Sequence, residues 1–378
     1  MILNETQAAI KDMAQQFATE VLWPGAEERD KEARFPKDEL SQMGELGFMG
    51  MKVAEQYGGL GGDFASYAIA VEEIAAGDGA CSTIMSVHSL TCEVFEKYGT
   101  EEQKDKYLPK LASGEWIGGF ALTEPQAGSD ASNLKTNAVR DGDHYVINGT
   151  KQFITNGNSG NVLVLFAVTD KDAGRKGIRA FIVERDTPGY EVVSVEKKLG
   201  ITSSDTCHLA FDNMRIPAEN LLGDEGEGYK IALANLESGR IGIAAQAVGM
   251  ARSAFDYARR YAKERQAFGK PITEQQAIAF TLADMDTQIE AARQMVMHAC
   301  ARKDEGVPCI REASMAKLFS SEIGEKVCSK AIQLLGGYGY LCDYPVERIY
   351  RDIRICQIYE GTSEIQRLVI SRDAIKRD

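Results

Sequence analysis

Ile10, Met13, Ala14, Phe17 and Val21 recur at intervals of three and four, a spacing that predicts a helix with one apolar stripe turned inward. The first 115 or so residues keep this helical character, interrupted by a loop at YGGLGGD, residues 57–63. From about 118 to 222 the pattern shortens to β-rich runs, HYVIN, KQFIT, NVLVLFAV, IRAFIVE and CHLAF, separated by Asp141-Gly142, Asn148-Gly149 and Asn156-Gly157. Cys207, Leu209 and Phe211 alternate with His208 and Ala210, so one face of that strand is expected to be buried. The middle region predicts a small antiparallel barrel or sandwich.

Helical periodicity returns after RIPAENLLGDEGEGY, with Leu282, Met285, Ile289, Ala292 and Val296 spaced 3, 4, 3 and 4 along a bundle seam. Gly269 and Pro271 in ERQAFGKPI stop a preceding helix, and further helices are predicted over about 312–335 and 364–376. Helices, then strands, then helices argue for a mainly α chain with a central β domain, divided at 1–117, 118–222 and 223–378.

Composition narrows the class. A chain of 378 residues has room for about two or three packed units. Apolar residues at 44% and charged residues at 26% are ordinary for a globular protein. The formal charge of -13 disfavours nucleic acid as the main partner. The longest apolar run, VLVLFAV at 162–168, is far short of the roughly 20 residues that cross a bilayer. The start, MILNETQAAIKD, lacks a signal-peptide layout, so a cytoplasmic protein is expected. Eight cysteines without C-x-x-C, and His88, His144, His208 and His298 without H-x-x-x-H, give no support for a disulfide framework or a metal site. GGLGGD fails the dinucleotide spacing, and neither a P-loop nor G-x-S-x-G occurs.

Chemistry is sought in four stretches. In ICQIYEGTSEIQRLVISRDAI, Ser363 and Gln366 fit a capping box that would start the last helix just after Glu360 and Gly361. Glu360 has two readings, an acid balancing that helix dipole or a general base desolvated by Ile355, Ile358 and Tyr359. FALTEPQAGSD, at 120–130, is either a turn capped by Ser129 and Asp130 or a backbone cradle for a phosphate or an electron-rich ring. The glycines of QLLGGYGY fit a helix C-cap, and Arg265 in ERQAFG is a helix-end cation or a phosphate ligand. Met85 and His88 are expected in the core.

FALTEPQAGSD, FITNG, LESGRIGIAAQAVG, ERQAFGKPI, QLLGGYGY and IYEGTSEIQRLVISR occur in the same order as motifs of the acyl-CoA dehydrogenases, and the chain resembles that family over essentially its whole length, most nearly the short-chain, butyryl-type branch. The resemblance implies an N-terminal helical domain, a middle β-barrel and a C-terminal four-helix bundle, assembled as a homotetramer. It implies FAD, with contacts at Phe120, Leu122, Thr123, Ser129, Phe153, Ile154 and Thr155. Arg265, Phe268, Gln276, Gln333 and Gly337 are implied to reach the FAD of a neighbouring subunit, and Thr362 and Glu364 to touch the cofactor near its phosphates. Acyl-CoA is implied to contact Ser129, Glu237, Arg240, Gly361 and Arg372. Glu360 matches the family's base, which takes the α-proton while the flavin takes the β-hydride and the Glu360 N–H helps hold the thioester oxygen. Isovaleryl-type members carry their base where this chain has Gly239. Phe153 stands where many relatives have Trp, and TIMSVHSL is one residue shorter than the matching pocket-floor segment of short-chain members.

The function implied is FAD-dependent dehydrogenation of short- to medium-chain acyl-CoA to trans-2-enoyl-CoA, with electrons passed to an electron-transferring flavoprotein. Two rivals share the resemblance: an oxidase or monooxygenase that uses oxygen, and a non-catalytic assembly protein that binds the flavin. The chain ends soon after Arg372, without the long extra region of the oxidases, and retention of Glu360 weighs against the second rival.

Overall fold

A computed structural model describes residues 3–376 of the chain. Its first block is helical: α1 (Glu5–Phe17), α2 (Trp23–Glu32), α3 (Lys37–Glu45), α4 (Phe64–Gly77), α5 (Gly79–Tyr98) and α6 (Glu101–Ala112). Asn4 and Gln7 close a capping box at the start of α1, and Asp63, Asp78 and Thr100 cap α4, α5 and α6. Ile10, Ala14 and Phe17 of the predicted stripe are buried, while Met13 and Val21 are partly so. Burial on nearly every face of α4 and α5 makes them the inner layer.

The strands are β1 (Gly118–Ala121), β2 (Asn137–Asp141), β3 (His144–Thr155), β4 (Val162–Val168), β5 (Ile178–Glu184), β6 (Tyr190–Val195), β7 (Thr206–Pro217) and β8 (Leu221–Leu222). They form one sheet in the order β6-β7-β3-β2-β4-β5-β8, with β1 added to β4. The pairing is mixed: β1 and β2 both run parallel to β4, a departure from the all-antiparallel expectation. Leu163, Leu165 and Ala167 of β4 face the interior of the folded sheet, whereas Val162, Val164 and Phe166 face the helices. Burial on both sides explains the unbroken apolar run.

Asp141-Gly142 opens the expected hairpin. Asn148-Gly149 does not turn the chain; HYVIN and KQFIT are one strand, and the pair marks a bulge where register with β7 slips between Ile147 and Gly149. Gly149 has φ +147°, and a Cβ there would lie 2.6 Å from the Thr136 Cα, so glycine is needed for a close approach within a strand.

The last block holds α7 (Gly228–Glu264), a small hairpin of β9 (Gln266–Ala267) and β10 (Lys270–Pro271), α8 (Gln276–Asp304), α9 (Ile310–Leu335), α10 (Pro345–Ile353) and α11 (Ser363–Lys376). α7 is the central rod, packed on α9, α4, α8 and α5. Met285, Ile289, Ala292 and Val296 are buried along the predicted seam. All eight cysteines are free thiols, seven of them buried. Among the described residues no helix is long and apolar enough to cross a membrane.

Candidate active site

Glu360 sits in the short link between α10 and α11 with φ +55°, a left-handed conformation that is uncommon for any side chain larger than glycine, and Gly361 follows at φ +92°. Contacts on both sides hold this strained turn. On one side the Tyr359 hydroxyl donates to Gln246 Oε1 of α7, and Gln246 Nε2 donates to Thr83 Oγ1 (2.7 Å) and the Gly79 carbonyl (2.9 Å) of α5. On the other, the Gly361 carbonyl accepts from Lys317 Nζ of α9 at 2.7 Å and from Gln366 Nε2 of α11 at 2.8 Å.

The expected capping box at Ser363 is displaced by one residue. Ser363 is the first helical residue and its hydroxyl is buried without a partner, while Thr362 Oγ1 accepts from the Ile365 N–H as the cap. Gln366 instead reaches back over the turn, also touching the Glu360 carbonyl at 3.2 Å.

With its neighbours pinned, the Glu360 carboxylate itself is free: Oε2 is buried and has no hydrogen-bond partner. Its backbone N–H likewise finds no acceptor among the described residues. Burial pushes the carboxyl up to about 7, while the Arg240 and Lys317 cations pull it the other way. Desolvation here opposes any favour the helix start gives the anion. What remains is a carboxylate poised between its two protonation states near neutral pH, the condition for a general base.

Gly239 of α7 is what leaves room for it. A Cβ at 239 would lie 2.5 Å from Glu360 Oε2 and 3.4 Å from Leu90 Cδ1. Side chains at positions 239 and 360 therefore compete for one space, and this chain gives it to Glu360.

Arg240, the next residue, is 6% exposed; one guanidinium N–H donates to Ser314 Oγ at 3.3 Å and its Nε is unpartnered. Buried here, Arg240 acts on the carboxylate and not on solvent. Glu237, one turn earlier, is held by Lys303 of α8 at 2.7 Å. Arg372 is exposed on α11, ten residues and about 15 Å beyond Thr362 at the helical rise. Gly361 is thus the one expected acyl-CoA contact directly adjoining the base.

The strand residues form a second group. Gln152 N–H donates to the Thr123 carbonyl at 2.9 Å, which lays residues 122–123 beside 153–155. Lys151, fully buried, fastens the same loop by donating to the Leu122 carbonyl (2.9 Å) and Glu124 Oε1 (2.8 Å). Phe153 combines φ +60° with 63% exposure, a strained backbone presenting an aromatic ring outward. The side chains of Leu122 and Ile154 are buried in the two sheet-face cores, so it is their backbones that border this edge. The Phe120 ring packs at a tilt against Phe166, centroids 4.9 Å apart, and Ser129 lies exposed at the loop tip. α5 touches both groups: Leu90 lies beside Gly239, and Thr91 packs against Gly118 at the start of β1.

Of Arg265, Phe268, Gln276, Gln333 and Gly337, three are brought together elsewhere, while Gln276 is the exposed first residue of α8. Arg265, Gln333 and Gly337 line an open groove of about 430 Å³ with Tyr261 and Tyr338. Phe268, at the tip of the β9–β10 hairpin, is 95% exposed. Gln333 and Lys317 are sixteen residues apart on α9, about 24 Å at the helical rise, so one chain does not bring this set to Glu360. Thr362 and Glu364 stand at the start of α11, with Glu364 exposed.

Lys317, Ser314 and Gln246 went unnoticed in the sequence, and Tyr359, expected only as an apolar neighbour of Glu360, adds a hydroxyl that donates to Gln246. A signal existed for the first: Lys317 falls in phase with Ala313, Ser320, Gly324 and Val327, so it is a lysine on the buried face of a helix.

Models of the N-terminal, middle and C-terminal domains of acyl-CoA dehydrogenases match residues 4–115, 119–214 and 226–375, and the chain belongs to that family of oxidoreductases. Among its relatives, the short-chain specific acyl-CoA dehydrogenase of Clostridium acetobutylicum is 49% identical over 370 residues, 98% of each chain. The butyryl-CoA dehydrogenase of Megasphaera elsdenii superposes with a TM-score of 0.97 at 43% identity, all of both chains covered. A chain in a structure described for the electron transferring flavoprotein of Acidaminococcus fermentans, in connection with flavin-based electron bifurcation, has a TM-score of 0.98 at 48% identity, again over all of both chains.

Proposed function

We propose that the chain dehydrogenates short- to medium-chain acyl-CoA to trans-2-enoyl-CoA, with Glu360 removing the α-proton. The observation that carries this reading is the buried, unpartnered Oε2 of Glu360 on a strained turn pinned on both flanks. A thioester α-proton is weakly acidic, and its removal needs a base whose solvation does not have to be stripped away during the reaction. Gly239 keeps the space in front of the carboxyl open, and Arg240 supports its ionised form from within the fold. The free N–H of Glu360 is available to the thioester oxygen, where negative charge develops as the proton leaves.

FAD, when bound, supplies the two-electron acceptor for the hydrogen that leaves the β-carbon. The residues present suit it: Thr123 and Thr155 offer hydroxyls along the edge made by the Gln152–Thr123 bond, and the outward ring of Phe153 offers an apolar face. Arg265, Gln333 and Gly337, remote from Glu360 in the same chain, fit the cofactor of a neighbouring subunit, and exposed Phe268, Phe280, Tyr340 and Leu341 favour association into a homotetramer. Likeness to a short-chain specific dehydrogenase and a butyryl-CoA dehydrogenase supports a short acyl chain, and likeness to the Acidaminococcus chain supports an electron-transferring flavoprotein as acceptor.

The test is anaerobic bleaching. The purified protein is expected to be yellow and to bleach on addition of butyryl-CoA, and Glu360→Gln to stay yellow and unbleached. Bleaching of the variant at the wild-type rate would overturn the role of Glu360. A colourless protein that gains no colour with FAD removes the cofactor, and rapid peroxide formation in air moves the acceptor to oxygen.

A further inference from the structure

We propose that Lys317 is the positioning residue of this site: through one hydrogen bond and one charge it sets both where the Glu360 carboxylate stands and at what pH it becomes a base. This rests on the proposed role of Glu360. Lys317 lies at the middle of the buried face of α9 with no exposed surface, and its one hydrogen bond is to the Gly361 carbonyl. That carbonyl belongs to the residue after the base, inside the left-handed turn, so the bond acts directly on the strained backbone that aims Glu360. Ser314, three residues earlier on the same helix face, holds Arg240. One face of α9 therefore places both cations that act on the carboxylate.

A buried lysine with a single carbonyl acceptor is costly, since desolvation of an ammonium runs to several kcal/mol unless an anion answers it. Among the described groups the answering anion is Glu360, together with the exposed Glu364 at the start of α11. The other titratable groups acting directly on the pair do not change charge near neutral pH, and Asp352, lifted to about 7 by burial, acts on Cys356 and not directly on the pair. Burial pushes the Cys356 thiol up to about 12 and raises the phenols of Tyr359 and of Tyr67 on α4, leaving all three neutral. Arg240 stays cationic, and Glu93 of α5, which faces Tyr67, is held down at about 2 by Lys52 and Lys97 despite its burial. Among the groups in direct electrostatic contact, Glu360 and Lys317 are thus the two that titrate close to neutrality, at about 7 and about 8.

A hydrogen bond that only braced the turn would accept any donor. The charge would not. Lys317→Gln can keep a donor but not the cation, Lys317→Met keeps neither, and Lys317→Arg keeps the cation. The assay uses the flavin-loaded protein and a 3-thiaacyl-CoA in deuterated water. Sulfur at the β-position prevents hydride loss, so the readout is exchange of the α-proton for solvent deuterium at Glu360. Wild-type exchange is expected to rise with pH around 7. Loss of the cation removes an interaction favouring the carboxylate anion, so Lys317→Gln and Lys317→Met shift that midpoint upward while Lys317→Arg leaves it in place. Lys317→Met in addition lowers the plateau about 100-fold, the loss expected for a base displaced by about 1 Å. Gln366→Leu, which leaves Lys317 as the side-chain donor to the Gly361 carbonyl, keeps the wild-type midpoint. Slower exchange with an unmoved midpoint in the glutamine variant overturns the proposal, as does an equal midpoint shift in Gln366→Leu. If Lys317→Met does not fold, Lys317→Gln read against Lys317→Arg decides between these outcomes. Absence of exchange in the wild-type protein would instead sink the role of Glu360.

Discussion

Replacing Glu360 by Gln should stabilise the folded protein, and should do so only as pH rises. In the fold burial lifts the carboxyl from its ordinary 4.5 to about 7, because an ionised form there is poorly solvated and Oε2 has no donor. A group whose folded pKa lies above its unfolded value contributes stability fully below the unfolded pKa and loses it as pH rises through the folded one. Wild type therefore loses stability between about pH 4.5 and pH 7, and the glutamine variant, which does not titrate, escapes that loss. The interval from 4.5 to about 7, at about 1.4 kcal/mol per unit, amounts to about 3 kcal/mol. Unfolding entropy near 2.1 cal/mol/K per residue over 378 residues is about 0.8 kcal/mol/K, so the full effect is about 4 °C in Tm. The assay is thermal unfolding of the flavin-loaded proteins side by side at several values from about pH 5 to 8, taking the difference in Tm at each. That difference is expected to grow in favour of the variant with rising pH. A difference that stays constant across the range would refute the claim that the carboxyl is desolvated, whatever its role in catalysis.

Two further outcomes follow from the same geometry. Gly239→Ala puts a Cβ 2.5 Å from Glu360 Oε2, and since the obstacle is the free end of a side chain the fold should survive while the carboxyl moves aside. Flavin content and Tm near wild type with turnover reduced about 10- to 100-fold is expected; unchanged turnover would show that the carboxyl works from another position. Phe268→Asp alters a tip that is 95% exposed in the single chain, so subunit folding should be unaffected, whereas sedimentation should report a smaller assembly and absorbance a lower flavin content. An unchanged assembly with full flavin would remove this hairpin from any subunit contact.

Local pattern carried a large part of the fold. The seam from Met285 to Val296, Ile10, Ala14 and Phe17 of the first stripe, and the alternation in TCHLAF are buried as their spacing requires, because period and burial are both set within a few residues. Turn chemistry was less reliable. Asp141-Gly142 makes its hairpin, but Asn148-Gly149 carries the same signal and forms a bulge, since the neighbouring strand β7 supplies pairing that the dipeptide does not encode. Thr362 in place of Ser363 at the start of α11 is decided by Gln366, whose side chain is drawn back to the Glu360–Gly361 turn.

The sequence alone determined the class of architecture, the identity of Glu360 as a candidate base and the motifs through which the family is legible. It could not choose between a helix-balancing acid and a working base, because that choice depends on desolvation. The balance comes from chain segments far apart: Gly239 clears the space, Lys317 and Arg240 supply charge that opposes the desolvation, and Gln246 and Gln366 hold the turn on either side of the carboxylate. Spacing along a chain records which faces of an element are apolar. The solvation of one oxygen atom is a property of everything packed around it, and only the tertiary structure assembles that.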